Sequence, residues 1–313
     1  MADQWRLMTS QAFESPAGLS ADTLPPLDVR TFNWQRWLTA GISLALLIAI
    51  LLRLHEFGVK DALSVLPASP AFWLAFAAYY LVLPGSEWAI FRKLWKLPKG
   101  GFLALLRKLV SNEILIGYSG EAYFYAWARR HANLIAAPFG TIKDVSILSA
   151  LAGNIVTLGM LAIAWPFIGT VIPKIHDPVI LLSTAIILGS SLMILLLRGS
   201  FFSLDRKSLY FVFRIHLLRI AVATLLSGLM WHIALPGTPS VWLLVLATLQ
   251  LLVSRLPFLP SKDLVFANLA ALLIGHNNHV AMVIAMITAA ILATHLMVGA
   301  VLVLTDILER HEP

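Results

Sequence analysis

Cysteine is absent from the 313-residue chain, which excludes a disulfide framework, thiol chemistry and metal sites built on thiolates. Charge is scarce. Only 12% of residues are Asp, Glu, Lys or Arg, where a soluble domain carries roughly a quarter. No Gly-x-x-x-x-Gly-Lys-Ser/Thr loop occurs, so the sequence contains no ATP motor. It also lacks a Gly-x-Ser-x-Gly elbow, a His-Glu-x-x-His pair and any Asp-rich metal motif, so no cofactor is implied.

Apolar sequence is what the chain has in excess. Hydrophobic residues make up 59% and mean hydropathy is +0.84. Several runs reach about 18 mostly apolar residues, the length of a membrane-crossing helix. The expected fold is all-α: a polytopic integral membrane helical bundle of about eight spans plus one or two re-entrant or broken helices. Residues 1–35 read as a flexible polar cytoplasmic tail, 36–305 as the transmembrane domain and 306–313 as a C-terminal tail. The first apolar run begins near Trp37, too late for a cleaved signal peptide, so it is expected to be a span.

The expected crossings are 37–52, 70–91, 145–168, 179–197, 210–231, 241–253 and 280–303, with 264–274 either crossing or re-entering. Placing the N-terminus inside puts 20 of the 23 Lys and Arg residues on the inner side, leaving Arg53, Lys60 and Lys174 outside. That skew follows the positive-inside rule and predicts a multi-pass protein with a cytoplasmic N-terminus. It also makes the net charge of +7 a matter of topology and anionic phospholipids rather than nucleic acid.

The informative stretch is 112–121. Residues 101–116 have helical periodicity, with Arg107, Lys108, Ser111 and Asn112 expected on one face. Phe102, Leu105, Leu106 and Leu109 fall on the other, with Glu113 in its middle. A Gly117–Gly120 break follows, then a second helical segment from Glu121 to His131. Helix, break and helix with basic ends predict a re-entrant hairpin, whose non-helical backbone must be satisfied by protein or a water-filled cavity. Glu113 and Glu121 are candidates for lining that cavity, since intramembrane carboxylates mark pathways for protons, ions or polar head groups. The competing reading makes Glu121 a helix N-terminal charge at the interface.

A second interruption, Arg255 to Asp263, has prolines, opposite charges and a following short helix. It is either a partner half-helix break or an ordinary cytoplasmic loop. The candidate substrate-binding set is Asn112, Glu113, Gly117, Gly120, Glu121, Arg129, Arg255 and Asp263. Ser149, Gly153 and Thr157 recur every four residues as a small-residue packing face. Glu87 is expected to meet Arg92 or Lys93, and His216 to face phosphate head groups. His232, His276 and His279 are better read as polar turn residues than as metal ligands.

These features together resemble the flippase-like transmembrane domain of the lysylphosphatidylglycerol synthases and the stand-alone membrane proteins that share it. Asn112, Gly117, Gly120 and Glu121 match that family's Asn…Pro-Gly-Arg-x-Gly-Glu motif. Pro257 and Pro260 match its later Pro-x-x-Pro motif, and Trp88–Pro98 resembles the exit from its second span. The likeness covers about 37–305. Ile116 and Tyr118 replace the motif's proline and arginine, and Ser261, Lys262 and Leu264 replace glycines of the second. The resemblance implies movement of a lipid or lipid-linked intermediate without ATP. The family's aminoacyl transfer belongs to a separate soluble domain, and none is expected in these residues. Two other classes remain open at the level of sequence. One is a membrane enzyme acting on a lipid carrier. The other is an accessory subunit partnering a lipid or polysaccharide biosynthetic enzyme.

Overall fold

The computed structural model describes residues 67–98, 100–114, 119–131, 139–171, 185, 189, 202–256, 262–274 and 278–309. The first expected span (37–52) lies outside them, and of the fourth (179–197) only residues 185 and 189 fall within them. Eight helices and no strand are found among the described residues: α1 Pro70–Trp95, α2 Gly101–Ile114, α3 Ser119–His131, α4 Phe139–Val171, α5 Arg206–Ala234, α6 Ser240–Ser254, α7 Lys262–Ile274 and α8 Asn278–Glu309. Four stretches, within α1, α4, α5 and α8, are long and apolar enough to cross a membrane. This is consistent with a membrane-embedded protein.

Local chemistry sets the helix ends. Pro70 opens α1 after an extended Ser69, its missing N–H falling where no intrahelical partner exists. Lys96 closes α1 in the left-handed conformation, and its N–H donates to the Arg92 carbonyl. Asp205 caps α5 by accepting from the Lys207 and Ser208 amides. Asp144, fully buried near the start of α4, accepts from the Ser203 and Leu204 amides at 2.6 and 2.8 Å. It thereby ties α4 to the segment entering α5.

Polarity is distributed as in a lipid-facing bundle. Leu218, Leu225 and Leu229 make an exposed stripe along α5, and Trp73, Leu74, Ile163 and Trp165 are exposed on α1 and α4. Glu87, Lys108, Asp144, Asn154, His216 and His295 are buried instead. In water the reverse is usual.

α5 packs along α1 and α4, α6 lies against α4, and α7 packs on α8. α2 pairs with α3 and touches α1 and α8. Two large apolar cores and two smaller ones result, and the large ones lie toward opposite ends of α1. One joins Phe72 and Phe76 of α1 to Trp231, Leu246, Phe266 and Ile284. The other joins Ile90 and Phe91, at the far end of α1, to Leu105, Phe124, Val145 and Val212. A belt of cations on aromatic rings marks this second end: Arg92 over Trp88, Lys93 over Phe211, Arg129 over Tyr125 and Arg214 over Tyr210.

Candidate functional site: a charged cavity between two helix breaks

Between the two large cores lies a cavity of about 580 Å³. From α1 it is lined by residues from Tyr79 to Glu87. At 1.5 Å per residue these begin about 14 Å from the first residue of α1 and end about 12 Å before its last. Arg219 and Thr224 contribute from the middle of α5, and His295 from the middle of α8. The cavity therefore sits at mid-length of α1, α5 and α8, and its α4 wall, Val145 to Asn154, lies in the first half of that helix. Pro84 falls at the same level, and lacking an N–H it leaves the Tyr80 carbonyl without its intrahelical bond.

Described residues flanking both helix breaks line this cavity. α2 brings Lys108 from its middle and Asn112 and Glu113 from its C-terminal end, and α3 brings Glu121 in its first turn. α6 ends with Ser254, Arg255 follows it, and α7 begins with Lys262 and Asp263. The pairs are similar in length, 14 and 13 residues against 15 and 13. Each second half-helix carries a carboxylate in its first turn, where the N-terminal amides favour negative charge.

The α2–α3 break is closed by its own residues. The Gly120 amide donates to Asn112 Oδ1 at 2.7 Å, and the Ser119 hydroxyl donates to the Ser111 carbonyl at 2.8 Å. Gly120 is required for this approach, because a Cβ there would run into the Lys108 carbonyl and the Asn112 side chain. The α6–α7 break is held by two cations on Ser254, the last residue of α6. Lys262 Nζ donates to the Ser254 carbonyl at 2.8 Å, and the Arg255 guanidinium donates to the Ser254 hydroxyl.

Charge in the cavity is balanced and partly paired. Its carboxylates are Glu87, Glu113, Glu121 and Asp263, and its cations Lys108, Arg219, Arg255 and Lys262. Lys108 Nζ lies 2.5 Å from Glu87 Oε1 and 3.3 Å from Glu121 Oε1. Arg219 donates to the Ser149 hydroxyl at 2.9 Å. Gln250 donates to both Asp263 and the Tyr79 hydroxyl. Tyr80 and His295 share a hydrogen bond of 3.1 Å.

Several expectations change. Glu87 pairs with Lys108, while Arg92 and Lys93 stack on Trp88 and Phe211. Lys108 is buried beside Leu105 and Leu109 rather than on a polar face, because that side of α2 meets Glu87 of α1. Lys108, Arg219, Arg255 and Lys262, counted by sequence with the inner side, line the cavity. His216 is fully buried and faces no head-group layer. The small-residue face of α4 serves the cavity as well as packing. Ser149 meets Arg219, and Gly153 leaves room for the Arg255 guanidinium.

Of the candidate set, Asn112, Glu113, Glu121, Arg255 and Asp263 line this one cavity. Gly120 lies directly behind it, and Gly117 falls outside the described residues. Arg129 does not join them. It is exposed near the C-terminal end of α3, over Tyr125. Pro257, Pro260 and His276 also fall outside the described residues, and His279 is exposed. Among the described residues no three metal-ligating side chains converge. Sequence reasoning missed Arg219, Gln250 and His295. Each lies mid-way along a mostly apolar run, and that was the available signal. No family model, curated protein or solved structure matches the chain.

Proposed function

We propose that this chain is a multi-pass protein of a bacterial-type inner membrane, N-terminus cytoplasmic, that moves a phospholipid, glycolipid or polyprenyl-linked head group between leaflets without ATP. The observation that carries this reading is the cavity with four carboxylates and four cations at mid-length of three membrane-length helices, lined also by residues that flank two helix breaks. Charged side chains are costly at bilayer depth and persist there for function. Broken helices at mid-depth are also how transporters assemble polar sites. The likeness of Asn112, Gly120 and Glu121 to the flippase-like family agrees with it.

In this reading the head group enters between α2–α3 and α6–α7 while its acyl or prenyl chain stays in lipid. The belt of cations on aromatic rings faces anionic phospholipids on the cytoplasmic side. The purified chain in vesicles is expected to speed transfer of a labelled head group to the opposite leaflet without nucleotide. A rate equal to that of protein-free vesicles, over a panel of anionic, zwitterionic and glycosylated lipids, would refute it.

A second reading has one observation in its favour. Glu113 and Asp263, far apart in sequence, face one cavity, as acid–base chemistry on a lipid carrier requires. Chemical conversion of the labelled lipid in the same vesicles distinguishes an enzyme from a translocator.

A further inference from the structure

Two buried polar atoms of opposite hydrogen-bonding sense belong to the cavity walls. Arg219 Nε, a donor, and Glu121 Oε2, an acceptor, have no hydrogen-bond partner among the described residues. Arg219 donates from Nη2 to a neutral hydroxyl, Ser149, and no described carboxylate forms an ion pair with it. Glu87, the carboxylate whose charge acts on it, is engaged by Lys108. The same lysine holds Oε1 of Glu121, leaving Oε2 for another donor.

A buried charged group with unmade hydrogen bonds is costly, so such atoms mark where ligand atoms belong. Arg219 asks for an anionic oxygen. Its planar guanidinium suits phosphoryl oxygens, which accept from two of its N–H groups at once. Ser149 and Asn154 on the same wall add neutral polar groups, and Lys262 a further positive charge. Glu121 asks for a hydroxyl or ammonium donor. Taking the cavity as the head-group site proposed above, we infer that its ligand is a phosphate ester that also carries a hydroxyl or amino group. The phosphoryl group sits on Arg219 and Ser149, and the donor group on Glu121. A bare phosphate satisfies only the first wall, and a neutral sugar or amine only the second.

Calorimetric titration of the purified full chain in detergent tests this with sn-glycerol phosphate, phosphoethanolamine, inorganic phosphate and ethanolamine. The two phosphate esters should bind more tightly than inorganic phosphate or ethanolamine. Arg219→Gln should weaken ester binding about tenfold or more, the loss expected for a charge-assisted hydrogen bond. Arg219→Lys should recover part of it. Glu121→Gln should erase the preference for esters over inorganic phosphate. Ester binding unchanged in a folded Arg219→Gln, or no preference for esters in the wild type, overturns the inference.

If Arg219→Gln melts early, Ser149→Ala decides. A loss of about threefold, that of a neutral hydrogen bond, supports the assignment, and unchanged binding overturns it. A short-chain phosphatidylglycerol in the same titration separates sources. Tighter binding than glycerol phosphate identifies a lipid head group, and equal binding a soluble ester. Both outcomes retain Arg219 as the phosphoryl seat. Binding needs no transport, so ester binding without leaflet transfer removes the proposed function and keeps this assignment. Transfer without ester binding does the reverse.

Discussion

Lys108 Nζ stands 3.3 Å from Glu121 Oε1, across the break that separates α2 from α3. The same ammonium meets Glu87 of α1, so one buried cation joins both arms of the hairpin to a membrane-length helix. Removing it leaves two carboxylates facing each other with little solvent. Lys108→Met should destabilise the protein by about 3 kcal/mol, the cost of breaking a buried pair from one side. Adding Glu87→Gln should restore part of that loss. Thermal unfolding in detergent checks both, and a Lys108→Met variant as stable as wild type would show that the pair is solvated.

Gly120 makes a steric prediction. A methyl group there meets the Lys108 carbonyl and the Asn112 side chain, neither free to yield cheaply. Gly120→Ala should cost about 1–3 kcal/mol, as overpacking does. Gly159, on α4, has open space around its Cβ position. Gly159→Ala should therefore be neutral or stabilise by up to about 1 kcal/mol. Equal melting temperatures for the two variants would contradict the close approach at Gly120.

Gly153 separates stability from function. A Cβ there meets the end of the Arg255 side chain rather than backbone. The guanidinium swings aside at little cost, but it leaves the position it holds in the cavity. Gly153→Ala is expected to melt close to wild type while head-group transfer in vesicles falls several-fold. Full transfer activity would remove Arg255 from the site.

Asp205 gives a pH dependence outside the spans. Hydrogen bonds from Ser208, its side chain and then its amide, hold the carboxyl below its ordinary range, with the Lys207 amide assisting. A carboxyl whose folded value is depressed stabilises fully above its unfolded value of about 3.9 and loses that stabilisation as pH falls through the folded value. Asp205→Ala should melt below wild type at neutral pH, and the gap should close as pH drops below about 3.9. A gap that is constant with pH would show that the cap does not depend on the charge.

The helices were legible because each leaves a local signature. Pro70 marks a start, and apolar runs of membrane length mark the bodies of α1, α4, α5 and α8, although the Asp205 cap starts α5 at Arg206, ahead of the start expected at 210. The hairpin was legible because Asn112, Gly120 and Glu121 lie close in sequence and act locally. Its bonds join residues eight apart.

The pairing of Glu87 with Lys108 was not legible. The two sit on different helices, and nothing in the periodicity of either says which face meets the other. Phasing by apolar count placed Lys108 on the polar side, whereas a buried carboxylate on the neighbouring helix draws it inward. Arg219 was assigned to the inner surface for the same reason. The positive-inside rule sorts loop charges and has no way to recognise a cation that belongs to a mid-helix cavity.

Head-group passage through the cavity, as proposed, requires the Glu121 carboxylate. Leaflet-to-leaflet transfer of a labelled phospholipid in nucleotide-free vesicles, comparing wild type with Glu121→Gln, tests this most directly. Wild type should accelerate transfer, and Glu121→Gln should fall to the protein-free rate, with folding of the variant confirmed by its melting. A folded Glu121→Gln that transfers as fast as wild type would contradict it.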